Sequence, residues 1–382
     1  MYHVKTMNKI SKIGLAELDD RFEISDTMEH EDAILVRSAK LHDYDFPAEL
    51  LCIARAGAGV NNIPLDRAAE AGIVVFNTPG ANANGVKELT IAALLLASRK
   101  ISQGITWVKE QAAAGADVAA VVEKGKAAYV GPEIQGKTLG VVGLGAIGVL
   151  VANAAAALGM QIVGYDPFLS VQHALNLTPG VKVVSTLEEL YGQADYISLH
   201  LPMTPETKGT LNDAAFAAMK DGVRIVNLAR GELVDTEALK AALASGKCAA
   251  YVTDFPNSET AAMEGVVAIP HLGASTPESE DNCAMMAARQ VRDYLDNGNI
   301  VNSVNLPVLS MAWAAKNRVC VLTKGADAAA IAAAIAAAVP AVASASKTRG
   351  EYGYFLLDTD AQVDTDAIAA LPGVLRVRVL HQ

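Results

Sequence analysis

The sequence predicts an α/β protein with a doubly wound parallel sheet in the middle of the chain, a smaller discontinuous α/β domain around it, and a βαββαβ unit at the end. Three observations predict it. Between Thr138 and Ile269 short apolar runs alternate with helical segments, and several runs lack polar alternation, as parallel strands covered on both faces should. The stretch Gly143-Leu144-Gly145-Ala146-Ile147-Gly148 follows one such run directly and opens an Ala-rich amphipathic segment. After Arg318 the order changes to β, α, β, β, α, β.

At 382 residues the chain exceeds one ordinary domain, and 52% hydrophobic against 19% charged residues supports a large core rather than disorder. The formal net charge of -11, with no basic stripe, argues against nucleic acid and leaves a small molecule as the expected partner. Cys52, Cys248, Cys283 and Cys320 are scattered without a C-x-x-C pair, which fits reduced buried thiols and implies no metal. Lys5, Lys9 and Lys12 occur with no apolar signal-like region, and the longest apolar tract, Ala328 to Ala345, is mostly alanine and broken by Pro340. A soluble cytoplasmic protein with no membrane span is expected.

Residues 1 to about 80 give short apolar runs, notably Ala33-Ile34-Leu35-Val36 and Leu51-Cys52-Ile53-Ala54, and read as a small α/β layer. A helical pattern from Asn84 through Leu94 toward Trp107 is long enough to bridge two domains and to line an oligomer interface. Residues 111–129 are rich in alanine and read as helix or a loosely packed excursion. Strands are expected at 138–142, 161–165, 181–184, 196–199, 223–228, 249–253 and 266–269. Gly159 and Ser245-Gly246 supply helix stops, and Ser275-Thr276-Pro277-Glu278 supplies a capping serine and a first-turn proline for a helix to about Asn297. That helix is expected to return to the first domain. Residues 299–316, with Pro307, read as a linker, and 318–322, 326–339, 341–347, 352–357, 365–371 and 374–380 complete a ferredoxin-like unit.

The glycine stretch is a dinucleotide-binding βαβ signature of the Rossmann type. Gly143 permits the tight turn, Gly145 lets the backbone approach a pyrophosphate, and Gly148 lets helix and strand pack closely, with helix N–H groups facing the anion. Asp166, ending the next apolar run, sits where a carboxylate takes both ribose hydroxyls and repels a 2′-phosphate, so NAD is favoured over NADP.

Three polar residues then follow strand ends in order. Arg230, in Asn227-Leu228-Ala229-Arg230-Gly231, can grip a carboxylate with a two-pronged hydrogen bond. Glu259 follows Asp254-Phe255-Pro256, with Glu264 as the fallback, and His271 follows Ala268-Ile269-Pro270. Each alone has a plain structural explanation as a strand-edge cation, a solvated loop acid or a histidine satisfied by backbone. Together, at the sheet edge where a nicotinamide would lie, they suit hydride removal from a C–OH carbon: histidine as base, glutamate on its other nitrogen fixing the tautomer.

With Arg55-Ala56-Gly57-Ala58-Gly59-Val60, Gly143 to Gly148, His200-Leu201-Pro202, Asn227 to Gly231 and Pro270-His271-Leu272-Gly273-Ala274-Ser275-Thr276, the chain resembles the D-isomer-specific 2-hydroxyacid dehydrogenase family, and within it the members that oxidise 3-phospho-D-glycerate. The resemblance implies Arg230, Glu259 and His271 as the catalytic set. It implies a cofactor site of Gly143, Gly145, Ala146, Ile147, Gly148, Asp166, Thr78, His200, Thr204, Ala229, Asp254 and Gly273. The backbone of Ala56, Gly57 and Gly59 would hold the substrate carboxylate, and Arg37, Ser38 and Arg55 the phosphate, with Lys124 or Lys126 of a partner subunit as a further cation. It also implies a flavodoxin-like substrate-binding domain at 1–84 and 276–304, an NAD domain at 85–275, a linker at 305–317, and an ACT-like regulatory domain at 318–382 that binds an amino-acid effector in related enzymes. Here Leu322-Thr323-Lys324-Gly325-Ala326-Asp327 replaces the usual loop of that domain. A homodimer or homotetramer is expected. Two alternatives are a dehydrogenase of another 2-hydroxy acid, such as glycerate, lactate or 2-hydroxyglutarate, and an NAD-sensing corepressor-like scaffold.

Overall fold

Runs of apolar residues too short for helices and flanked by turns become the strands of three sheets. The computed structural model describes residues 1–325 and 328–382. The chain divides into two units, Met1–Asn82 with Pro277–Gln382, and Ala83–Thr276.

In the first unit, β1 (Tyr2–Met7), β2 (Phe22–Ser25), β3 (Ala33–Val36), β4 (Cys52–Arg55) and β5 (Val74–Phe76) form a parallel sheet in the order β2-β1-β3-β4-β5. This is the flavodoxin-type order. The four residues of β3 are all buried, and Val4, Leu35 and Ala54 share a core with Ala284, Ala287, Ala288 and Val291 of the helix Pro277–Asn297.

The second unit holds β6 (Thr138–Val142), β7 (Gln161–Tyr165), β8 (Lys182–Val183), β9 (Tyr196–Leu199), β10 (Val223–Asn227), β11 (Cys248–Thr253) and β12 (Val266–Ala268), all parallel, in the order β12-β11-β10-β9-β6-β7-β8. The chain reverses its direction of winding between β6 and β9. A crevice for a ligand is expected there, outside the carboxyl ends of the strands. The single long helix expected from Asn84 toward Trp107 is instead two, Ala83–Ser98 and Ile101–Ala113. The Ser98 hydroxyl bonds the Leu94 carbonyl at 2.8 Å and the Tyr196 hydroxyl at 2.7 Å, and Gly131 packs against the Ser98 carbonyl with no room for a Cβ. These contacts fix the first helix at its end. Beyond the break, Ile101–Ala113 and Val118–Gly125 bury no residue.

The third sheet, in the first unit, is β13 (Asn317–Lys324), β14 (Ala343–Arg349), β15 (Tyr352–Thr359) and β16 (Val374–His381), antiparallel in the order β14-β15-β13-β16, with helices Ala328–Ala338 and Thr365–Ala369. That is the ferredoxin-like βαββαβ arrangement. Of the loop Leu322 to Asp327, Ala326 and Asp327 lie outside the described residues. The strands alternate faces with a period of two. Val319, Val321, Phe355 and Leu357 pack with Ile335, Val339 and Ile368, while Cys320, Leu322, Tyr354 and Leu356 join the core of Val4, Val291 and Tyr294.

Residues 299–316 form a connection without helix, yet it is firmly pinned. The Arg318 guanidinium, 0% exposed, donates to both Asp358 oxygens at 2.7 and 2.9 Å and to the carbonyls of Asn297, Met311 and Ala312, each at 2.9 Å. Every N–H of the side chain is used. The four cysteines are buried free thiols, and among the described residues no helix is long and apolar enough to cross a membrane.

Candidate active site

The glycine loop leaves β6 at Gly143, whose φ of +94° suits glycine and whose Cβ would stand 2.6 Å from the His200 carbonyl oxygen. A Cβ at Gly148 would collide with the Gly143 carbonyl. Gly145 differs: it caps the helix Ala146–Ala157, and nothing lies within 4 Å of where its Cβ would be. Two glycines therefore exist for packing and one leaves bare backbone at a helix N-terminus, the cradle a pyrophosphate requires. Asp166 follows β7 and accepts the Leu144 amide at 2.9 Å through one oxygen and the Phe168 amide at 2.8 Å through the other. Those bonds aim the carboxylate while leaving acceptor capacity for ribose hydroxyls.

Asp254, directly after β11, is 1% exposed. Its Oδ2 accepts the Gly273 amide at 3.0 Å, and its Oδ1 is buried with no partner. Burial pushes this carboxyl up, against the lowering effect of the Gly273 amide and of His271. A buried acceptor without a donor is costly, so the group is explained by an N–H that arrives with a ligand. A nicotinamide carboxamide supplies one, and the residues present fit the cofactor.

His200 follows β9; its Nε2 lies 2.9 Å from the Ser198 hydroxyl, and burial of the ring pushes its pKa down to about 4. It is neutral at physiological pH. In the loop beyond, the Thr204 amide donates to the Thr207 hydroxyl at 2.8 Å, which itself donates to the Pro202 carbonyl at 2.7 Å.

Buried Asn227 shapes the end of β10. Its Oδ1 accepts the amides of Ala229 and Arg230 at 3.2 and 3.3 Å, and its Nδ2 donates to the Arg230 carbonyl at 2.8 Å and the Tyr251 hydroxyl at 3.0 Å. Arg230 is thereby projected, exposed, from the carboxyl edge of the sheet. Its guanidinium stands 5.5 Å from the centroid of the Phe255 ring, and the exposed His271 imidazole lies against the same ring, tilted by 47° with centroids 4.3 Å apart. Arg230 and His271, forty-one residues apart in sequence order, are thus brought together by an aromatic platform that sequence reasoning missed. The available signal was an aromatic residue two positions past a strand end.

The expected bond between Glu259 and His271 is not among the described contacts. Glu259 pairs instead with Lys240 at 3.2 Å. Asn257 Oδ1 accepts the amides of Glu259 and Thr260 at 3.0 and 2.8 Å, a local turn that directs the carboxylate toward the helix Thr236–Ala244. Glu264, the fallback, is exposed in the turn before β12.

Lys124 and Lys126 lie in the second unit, where Lys126 pairs with Glu123, and the other candidates lie in the first unit, at or beyond the carboxyl ends of β3, β4 and β5. Arg37 pairs with Glu280 at 2.7 Å. The Ser38 amide donates to Asn8 Oδ1 at 3.0 Å. Arg55 donates through Nε to the Arg37 carbonyl at 3.1 Å, and its guanidinium lies over Gly57, where a Cβ would strike it. The loop Ala56 to Gly59 and the Arg55 head therefore form one surface. Thr78 is fully buried, and its amide donates to the Gly57 carbonyl at 3.1 Å.

Fold and loop define a dinucleotide-binding α/β protein. Residues 91–273 match the model of the D-isomer specific 2-hydroxyacid dehydrogenase, NAD binding domain. The chain is 40% identical over 299 residues to D-3-phosphoglycerate dehydrogenase of Mycobacterium leprae, covering 75% of this chain and 53% of that protein. It is 36% identical over 335 residues to the Bacillus subtilis enzyme of the same name, covering 83% and 61%. The chain thus spans roughly half to three fifths of those relatives. Among solved structures, NAD+-bound 3-phosphoglycerate dehydrogenase of Entamoeba histolytica aligns with a TM-score of 0.61 at 27% identity, over 81% of this chain and 99% of that one. Residues 91–273 are thus similar to the NAD-binding domain of the D-isomer specific 2-hydroxyacid dehydrogenases, and most of the chain is similar to D-3-phosphoglycerate dehydrogenases.

Proposed function

We propose that the protein is an NAD-dependent dehydrogenase that oxidises 3-phospho-D-glycerate to 3-phosphohydroxypyruvate, the first step of L-serine biosynthesis. The observation that carries the reaction type is the grouping of Arg230 and His271 on Phe255, on the sheet edge that also bears the glycine loop. Similarity to D-3-phosphoglycerate dehydrogenases and the two arginines at the ends of β3 and β4 support the substrate. Two cations beside a glycine-rich loop suit a phosphate and a carboxylate on one small acid.

In this reading Arg230 holds the substrate carboxylate and the C2 oxygen in register, together with the backbone of Ala56, Gly57 and Gly59, while Arg37, Ser38 and Arg55 take the phosphate. His271 removes the hydroxyl proton as the C2–O bond becomes a carbonyl. Bound NAD supplies the acceptor for the C2 hydrogen and its electron pair. Glu259 stabilises the imidazolium once it leaves Lys240, a contact that tightens with substrate bound. Gly143, Gly145, Ala146, Ile147, Gly148, Asp166, Thr78, His200, Thr204, Ala229, Asp254 and Gly273 surround the cofactor. Residues 1–84 and 276–304 serve substrate binding, 85–275 NAD binding, 305–317 connection, and 318–382 an ACT-like regulatory role with an amino-acid effector. The protein works in the cytoplasm as a homodimer or homotetramer.

A second reading, oxidation of an unphosphorylated 2-hydroxy acid, is favoured by one observation: Arg37 already carries a carboxylate partner in Glu280. NADH consumption with 3-phosphohydroxypyruvate, hydroxypyruvate, pyruvate and 2-oxoglutarate separates the two. Preference for the phosphorylated acid is expected; preference for another keeps the chemistry and moves the substrate.

A further inference from the structure

We propose that Glu280 is a specificity-determining residue: by neutralising Arg37 it limits how strongly this chain selects a phosphorylated acid over its unphosphorylated counterpart. The inference rests on the substrate-binding role proposed above for Arg37 and Arg55.

Three charged groups converge at the carboxyl ends of β3 and β4. Arg37 follows β3, Arg55 ends β4, and Glu280 lies in the first turn of the helix Pro277–Asn297. Glu280 Oε1 is 2.7 Å from the Arg37 guanidinium, and the Arg37 carbonyl accepts Arg55 Nε at 3.1 Å, so the two cations are tied through the backbone of one of them. Buried Cys283, one turn beyond Glu280, registers the same grouping: burial raises its thiol pKa, Thr78, Arg55 and Arg37 pull it down, and Glu280 pushes it up. The charge of Arg37 is thus offset by Glu280 before any substrate arrives. A phosphate monoester brings close to two negative charges near neutral pH. It must therefore displace Glu280 from Arg37 or bind beside a like charge, whereas an unphosphorylated acid has no such conflict.

A merely structural role is the plain alternative, since acids are favoured at helix N-termini. Glu278 occupies the same first turn and meets that need. The Arg37 and Glu280 side chains are 41% and 45% exposed, so the pair adds little to folding and the glutamine variant should fold normally.

The test compares kcat/KM for 3-phosphohydroxypyruvate and hydroxypyruvate, which differ only in the phosphate, in the full chain, Glu280→Gln, Arg37→Ala and the double variant, with Tm as the folding control. Glu280→Gln should raise the phosphorylated-to-unphosphorylated ratio about fivefold, mostly through KM, the scale of an exposed ion pair. Adding it to Arg37→Ala should raise the ratio far less, because the partner is gone. Inorganic phosphate should inhibit hydroxypyruvate reduction at lower concentration in Glu280→Gln. An unchanged ratio and unchanged phosphate inhibition overturn the proposal even if the wild type prefers the phosphorylated acid. If the wild type prefers the unphosphorylated acid, the substrate assignment fails, while a rise in the ratio in Glu280→Gln still upholds the role of Glu280.

Discussion

Arg230 and Arg318 carry the same side chain in opposite conditions. Arg318, on β13 of the four-stranded sheet, is fully buried, and each of its donors meets a carboxylate or carbonyl. Arg230 is exposed at the carboxyl edge of the seven-stranded sheet, donates to its neighbouring Ala229 carbonyl at 2.6 Å, and otherwise rests on a ring. Asp358 and Asp254 repeat the contrast: the first accepts from Arg318 and from the Ala314 amide, while the second keeps one buried oxygen without a donor. Arg318 and Asp358 are saturated within the chain. Asp254 is aimed and left incomplete, as a group proposed to meet a ligand should be, because its unmade bond can be satisfied by what binds.

The sharpest break of this comparison is Arg318→Met. Leaving Asp358 buried and unpaired should cost about 3–5 kcal/mol, read as a large fall in Tm, and pairing it with Asp358→Leu should recover much of that. A loss below about 1 kcal/mol would show that the connection is not held by this cluster. At the incomplete end, Asp254→Ala should weaken NADH binding about tenfold, the value of a lost hydrogen bond to a charged group, with little change in Tm. Unchanged affinity would remove Asp254 from the cofactor site.

How legible this was in the sequence depended on distance along the chain. The glycine loop and Asp166 were readable because turn, helix start and carboxylate lie within one βαβ unit. The ferredoxin-like order was readable from strand and helix periods alone, as its strands differ from expectation only at their ends. Phe255 as a shared platform was not readable, since Arg230 and His271 reach it from separate loops. Glu259 was assigned a partner by chain order, but the turn made by Asn257 overrides chain order. Arg37 with Glu280, and Arg318 with Asp358, join residues from distant parts of the sequence, and no local pattern announces them.

Smaller effects follow. Because the folded pKa of His200 is lowered to about 4, the unfolded chain binds more protons than the folded one between about pH 4 and its ordinary value near 6.5, and stability should rise with pH across that window. Denaturant midpoints at pH 4.5 and 6.5 should show a gap that narrows in His200→Gln; an equal gap would assign the dependence elsewhere. The smallest effect is expected from Lys240→Ala, which releases Glu259 from an exposed pair and should change kcat by less than about fivefold. A tenfold loss would mean that Lys240 helps to build the active geometry.

The most direct test of the incomplete edge as a catalytic site is His271→Ala, assayed for NADH binding and for turnover side by side. Turnover should fall by about 10²–10⁴-fold while NADH affinity stays close to that of the unaltered chain. Near-normal turnover would contradict the account, because His271 would then not be the base.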